Sequence, residues 1–174
     1  VSIPPNMQMR PTGIPFQDMC TMLGLLTVTW AWAETSLAMT IGLIQEHLGS
    51  IRGHRASPVS LSKKMDCLQI ALKDFEALHS FQQEASVLLK VFKELGKRRN
   101  RIVHGASWET PEGRFQAANL RVIGGKYAGE DHVFDIRDAH ALNVEVAKLS
   151  DDMTALMLKI ASRLSGVEIR SLIG

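Results

Sequence analysis

The chain has 174 residues, of which 45% are hydrophobic and 22% charged, enough for one domain that buries roughly 70% of its unfolded surface. Its 20 basic and 18 acidic residues leave a formal charge of +2. Whole-surface polyelectrolyte binding of nucleic acid is thereby excluded, and any such binding must come from a local patch. The 13 glycines and 6 prolines are too scattered for a low-complexity chain, and no repeat recurs at periods of about 20–50 residues.

Cys20 and Cys67 stand in apolar periodic stretches, and no Cys-x-x-Cys pair exists. A zinc ribbon, a thioredoxin-like site and a disulfide framework are excluded, and two reduced, buried thiols in a cytoplasmic protein are expected. The first residue is Val rather than Met, so the amino terminus reads as processed or cut from a longer product. Residues 19–33 carry no charge, but Glu34 ends the run short of the roughly 18–20 residues that a membrane span needs. Only Arg10 precedes it, which does not suit a signal peptide; no membrane association is expected.

Residues 1–15 hold Pro4, Pro5, Pro11 and Pro15 and read as an extended arm, followed by a single domain over 16–174. The first helix is expected from Phe16 to Leu48, on the stripe Leu26, Trp30, Ala33, Leu37, Ile41, Ile44, Leu48. Leu25, Val28, Trp32 and Met39 add apolar residues on its other faces, so it is either central or covered by a second subunit. A second helix starts at Ser57-Pro58, a cap followed by a first-turn proline, and buries Leu61, Met65, Leu68, Leu72 and Phe75. The third carries Phe81, Ala85, Leu88, Phe92, Leu95, position 99 and Ile102, and Gly105 is its natural stop.

Residues 106–136 change character. Trp108, the turn-like Thr110-Pro111-Glu112-Gly113, a strand from Phe115 to Ile123, the turn Gly124-Gly125 and a return strand from His132 to Ile136 describe a small β insertion. The fourth helix spans Arg137 to Leu164 on the stripe Leu142, Val146, Leu149, Met153, Leu156, Ile160, Leu164. The expected fold is mainly all-α: an antiparallel up-and-down four-helix bundle with a β-hairpin insertion between helices 3 and 4.

The informative segment is Lys97-Arg98-Arg99-Asn100-Arg101-Ile102-Val103-His104, at the carboxyl end of the third helix. A basic cluster there suits the negative end of the helix dipole. One residue breaks the pattern: the stripe through Leu95 predicts an apolar side chain at 99, so Arg99 points toward the bundle seam while Arg98 and Arg101 face solvent. A buried guanidinium needs an anion or several acceptors, and a broken local rule marks a functional or strained site. Asn100 lies four residues before His104, on the same face. An arginine, an amide and a histidine that exchanges protons near neutral pH suit an anionic substrate, with phosphate foremost.

Arg99-Asn100-Arg101-Ile102-Val103-His104 resembles the signature of the HEPN superfamily, in which an arginine, often followed by asparagine, precedes a histidine by four to six residues. Arg99 fits with four intervening residues and Arg98 with five, and the asparagine favours Arg99. The resemblance covers residues 16–105 and 137–165, and the β insertion departs from it.

The resemblance implies metal-independent ribonuclease chemistry in a homodimer whose two Arg-His motifs line one cleft. His104 would take a proton from a ribose 2′-hydroxyl or give one to the leaving oxygen, and Arg99 would hold the scissile phosphate. Asn100 would orient His104 or a phosphate oxygen, while Lys97, Arg98 and Arg101 would guide the RNA backbone. Glu34, which interrupts the most apolar helix, is a candidate partner of Arg99 or His104. Members of the superfamily include toxins and phage-defence nucleases, so an antitoxin is an implied partner; others only bind nucleotide, RNA or a protein, and that alternative stays open. No cofactor is expected. Asp131, His132, Asp135, Asp138 and His140 are metal ligands by type only, without ligand spacing, and no metal is expected.

Overall fold

In the computed structural model, residues 15–53, 58–103, 106–110, 114–123 and 126–173 are described. The chain is mainly helical. The elements are α1 (Pro15–Leu48), α2 (Leu61–Asp74), a 3-10 helix (Glu76–Phe81), α3 (Gln82–Val103), β1 (Ala106–Glu109), β2 (Phe115–Ile123), β3 (Lys126–Phe134) and α4 (Ile136–Ile173). Pro15 opens α1 rather than closing an arm, and residues 1–14 lie outside the described residues. None of the described helices is long and apolar enough to cross a membrane.

The helices form where apolar residues repeat in threes and fours; α2 buries Leu68 and Leu72 of its expected stripe together with Cys67 and Ala71, while Leu61, Met65 and Phe75 are only half-buried. In α1, Leu26, Trp30, Ala33, Leu37, Ile41 and Ile44 are buried. The threonines along α1 satisfy their hydroxyls by bonding back one turn, as fully buried Thr40 does to the Ser36 carbonyl at 2.7 Å, which lets polar residues ride inside an apolar helix. Gly49, at φ 91°, ends α1 in the left-handed conformation that glycine alone adopts without cost, and its N–H donates to the Gln45 carbonyl.

The second helix begins later than the Ser57-Pro58 motif suggests. Ser60 caps α2, its hydroxyl accepting from the Lys63 N–H at 3.4 Å, while Ser57 lies outside the described residues. Phe75 is the extended residue that closes α2, and Phe81 closes the 3-10 helix before α3 begins.

The contacts fall into two compact units. One comprises the described part of Val1–Trp30 with Lys93–Lys148; its core includes Met22, Leu26, Leu95, Ile102, Phe115, Phe134, Leu142 and Val146. The other comprises Ala31–Phe92 with the described part of Leu149–Gly174; its core includes Leu37, Ile41, Leu68, Leu72, Phe92, Met153, Leu156 and Ile160. In that second unit the Ser36 and Thr154 hydroxyls pair at 2.9 Å, and Lys159 reaches Glu84 at 2.7 Å.

The insertion is a three-stranded antiparallel sheet in the order β1-β2-β3. Ala106 pairs with Ala118, Phe115 with Phe134, and Ile123 with Lys126. Phe115, Ala117 and Phe134 turn inward, and the two phenyl rings meet at 6.2 Å. The return strand differs from the expected His132–Ile136 because Asp135 starts a helix instead. Its Oδ1 accepts from the N–H groups of Arg137 and Asp138 at 2.8 and 2.9 Å, and Asp138 Oδ2 accepts from the Asp135 N–H at 2.9 Å. This reciprocal box turns the chain from β3 into α4. Cys67 is buried, whereas Cys20 is exposed on α1, contrary to the expectation of two buried thiols.

Candidate functional site at the end of α3

The last two turns of α3 carry Lys97 to Arg101, and their side chains part in three directions. Lys97 bonds Glu94 one turn back at 2.8 Å; this hydrogen bond, with the lysine's charge, holds the Glu94 carboxyl below the usual carboxylate range. Arg98 grips Glu145 of α4 with both terminal nitrogens, at 2.7 and 2.9 Å. That fork-to-fork pair fixes the plane of the guanidinium and raises its already high pKa through the hydrogen bond to Glu145.

Arg99 turns the other way. It is half-buried, its Nε is enclosed, and its Cζ sits 5.8 Å from the centroid of the Trp30 ring. Arg98 and Arg101 are exposed. The broken stripe therefore does place Arg99 on the inward face, where a weakly hydrated, planar cation packs against the face of a buried indole. Its Nη1 donates to Asn100 Oδ1 at 3.0 Å. Asn100 thus orients the arginine, and with its oxygen so engaged, its NH2 group is the part left to donate to an anion.

Arg101 opens with Arg98 into a cleft of about 460 Å³ between the end of α3, the first turns of α4 and β3. His132 reaches this cleft from β3, its ring stacked on Phe134 at 6.1 Å. His132 was considered in the sequence only as a metal ligand by type. Nothing in the sequence signals its position beside the arginines, because β3 is brought there by sheet pairing.

Of the expected site residues, Arg99 and Asn100 are in direct contact, and Arg98 and Arg101 share a cleft. His104 and Gly105 lie outside the described residues. Glu34 meets Lys64 of α2 at 3.7 Å. Among the described residues no three His, Cys, Asp or Glu side chains are grouped to hold a metal; Asp135 and Asp138 serve the cap of α4. Glu145 carried no sequence signal, since its partner Arg98 is 47 positions away.

No family model matches the chain, and no curated protein or solved structure shows significant similarity to it.

Proposed function

We propose that the protein is a HEPN-like, metal-independent endoribonuclease, acting in the cytoplasm as a homodimer of antiparallel up-and-down four-helix bundles. The observation that carries this reading is Arg99: a guanidinium at a core position, stacked on Trp30 and steadied by Asn100, five residues before His104. A cation is costly at such a position, and a phosphate that it stabilises during reaction is a reason to keep it there.

In this mechanism His104 removes the proton from a ribose 2′-hydroxyl, and the oxygen attacks the neighbouring phosphorus. The 5′-oxygen of the next nucleotide departs and takes up a proton, and a 2′,3′-cyclic phosphate remains. Arg99 meets the added charge on the phosphate, and the Asn100 amide donates to one of its oxygens. The pairing of two subunits would bring two such motifs to one cleft, so that one histidine serves as base and the other as acid. The reading makes the protein a toxin or phage-defence component, with an antitoxin as its protein partner. Wild type and His104→Ala incubated with total RNA in chelator test it: cleavage by the first and none by the second is expected, and intact RNA in both overturns it.

A second reading, a non-catalytic bundle that binds nucleotide, RNA or a protein partner, is favoured by one observation. Lys97 and Arg98 are each matched by a carboxylate, Glu94 and Glu145. The positive patch is then narrower than the sequence suggests, and fits one anionic group better than a long backbone. Salt dependence separates the two: tracking several phosphates gives a steep fall of affinity with salt, about 0.7 per phosphate for single strands.

A further inference from the structure

The cleft on the far side of α3 from Arg99 has a composition of its own. Arg98, Arg101 and Ile102 are three and four residues apart and share a face of the helix, whereas Arg99 is turned about 100° away from Arg98. Opposite them stand Asp138 and Leu142 of α4 and His132 of β3. Ile102 and Leu142 are buried, at 4% and 1% exposure, and form an apolar floor. The volume of about 460 Å³ falls within the range of small-molecule sites, about 300–1,000 Å³.

We propose that this cleft binds one phosphorylated nucleoside unit of an RNA strand, its phosphate held by Arg101 and His132 and its body laid on Ile102 and Leu142. The inference rests on the ribonuclease reading and names a substrate subsite for it. The nearby helix terminus does not supply the anion's donors, because the Arg137 and Asp138 N–H groups are already given to Asp135. The charge must be met by side chains.

Two of these side chains are held in place before a ligand arrives. Arg98 spends two N–H groups on Glu145 and keeps further donors in a fixed plane. His132 is stacked at 13° on the fully buried Phe134. Pre-set donors lose less freedom on binding than mobile ones. Asp138 uses Oδ2 on the Asp135 N–H, and its carboxylate lines the cleft. An acid beside two arginines and a histidine suits a ligand that carries both an anion and hydrogen-bond donors, such as the amino group of a base, and is poorly suited to bare phosphate.

The test is calorimetric titration of the full chain with adenosine 5′-monophosphate, which has no internucleotide bond to cleave. Saturable binding is expected, weakened about tenfold or more in Arg101→Gln and in His132→Gln, with circular dichroism unchanged. Lys159→Gln, a surface change that breaks only the pair with Glu84, should bind as wild type. A 2′-O-methyl oligoribonucleotide should compete with the monophosphate; binding without competition would overturn the RNA subsite and leave a free-nucleotide site. Inorganic phosphate binding as tightly as the nucleotide would overturn the nucleoside assignment, as would equal affinity in all variants. The two proposals fail separately. Nucleotide binding that depends on Arg101 and His132, with no cleavage of RNA by wild type, removes the nuclease reading. Cleavage that depends on His104, with no nucleotide binding and an unchanged KM in Arg101→Gln, removes the subsite alone.

Discussion

Arg99 lays its guanidinium over the indole of Trp30, 5.8 Å from the ring centroid, at the position where the stripe of α3 calls for an apolar side chain. The two residues lie 69 apart in the chain and come from α3 and α1. The contact returns part of what the half-burial of a cation costs, about 0.5–1 kcal/mol for a pair of this kind. A cation kept where leucine would continue the stripe is a reason to look for function at Arg99.

Arg99→Leu should therefore separate stability from activity. Leucine continues the stripe Leu88, Phe92, Leu95 and removes the desolvation of a charge, so thermal unfolding should occur at the same temperature or higher. Cleavage of RNA should fall by a factor of about 100–1,000, corresponding to the loss of one electrostatic stabiliser at about 3–4 kcal/mol. A melting curve and a cleavage assay on the same preparation check both halves. A large drop in melting temperature would mean that Arg99 is a structural residue.

Glu145→Gln should release Arg98 at little cost. Both side chains are about half exposed, 46% and 48%, and exposed pairs contribute about 0.2–1 kcal/mol. The freed arginine adds a cation to the patch, so RNA affinity at low salt should rise and its salt dependence steepen. Filter binding across a salt series measures this, and unchanged affinity would show that Arg98 lies outside the RNA path.

The helical stripes are legible in the sequence because a 3.6-residue period imposes one pattern along a whole face: every stripe residue of α4 from Leu142 to Leu164 is buried. The inward turn of Arg99 is legible for the same reason. What is not legible depends on partners distant in the chain or on competing local signals. Ser57-Pro58 reads as the cap of the second helix, and the structure gives that place to Ser60, whose hydroxyl accepts from the Lys63 N–H. Lys126 to Glu130 lacks apolar alternation, so the first half of β3 is visible only through its pairing with β2. Asp135 looks like the end of a strand until Asp138 answers it across the first turn of α4. Arg98 reads as a free cation until Glu145 is set opposite it.

The cap of α4 gives a pH-dependent contribution to stability. Hydrogen bonds from the Asp138 and Arg137 N–H groups, with the charges of Arg137 and Arg114, hold the Asp135 carboxyl below its usual range. A carboxyl depressed in the folded state contributes stability that is fully present above its unfolded pKa, about 3.9, and is lost as pH falls through the lower folded value. Asp135→Ala should cost about 1 kcal/mol at neutral pH, and less below about pH 3. Asp135→Asn, which keeps a capping oxygen without a charge, should flatten the acid limb of the melting temperature against pH. An acid limb identical to that of wild type would show that the ionised cap contributes nothing.

The two cysteines should react on different timescales. Cys20 is exposed, whereas Cys67 is buried and its thiol is pushed up from its usual pKa by desolvation. One equivalent of a thiol reagent should be consumed quickly by the native protein, and the second only on unfolding. Cys20→Ser should abolish the fast phase. A fast phase that persists in this variant would mean that the second unit opens readily around α2.

Catalysis should survive chelator and be lost in His104→Ala with folding intact, because side chains alone are asked to meet the charge of the scissile phosphate. Removing a general acid–base lowers rate by about 10²–10⁴. The products should carry a 2′,3′-cyclic phosphate on one fragment and a 5′-hydroxyl on the other, since attack by the 2′-oxygen closes that ring as the 5′-oxygen leaves. DNA should remain intact, because it lacks the attacking hydroxyl, and a substrate methylated on every 2′-oxygen should resist cleavage for the same reason while still binding. This last comparison isolates the chemistry from recognition. Cleavage of DNA, or of the methylated strand, would require a water nucleophile and would remove the mechanism built on Arg99 and His104. Binding of the methylated strand without cleavage, alongside rapid cleavage of its unmodified counterpart, would assign the nucleophile to the substrate itself and leave to the protein the two tasks its residues suit: moving a proton at His104 and stabilising charge at Arg99.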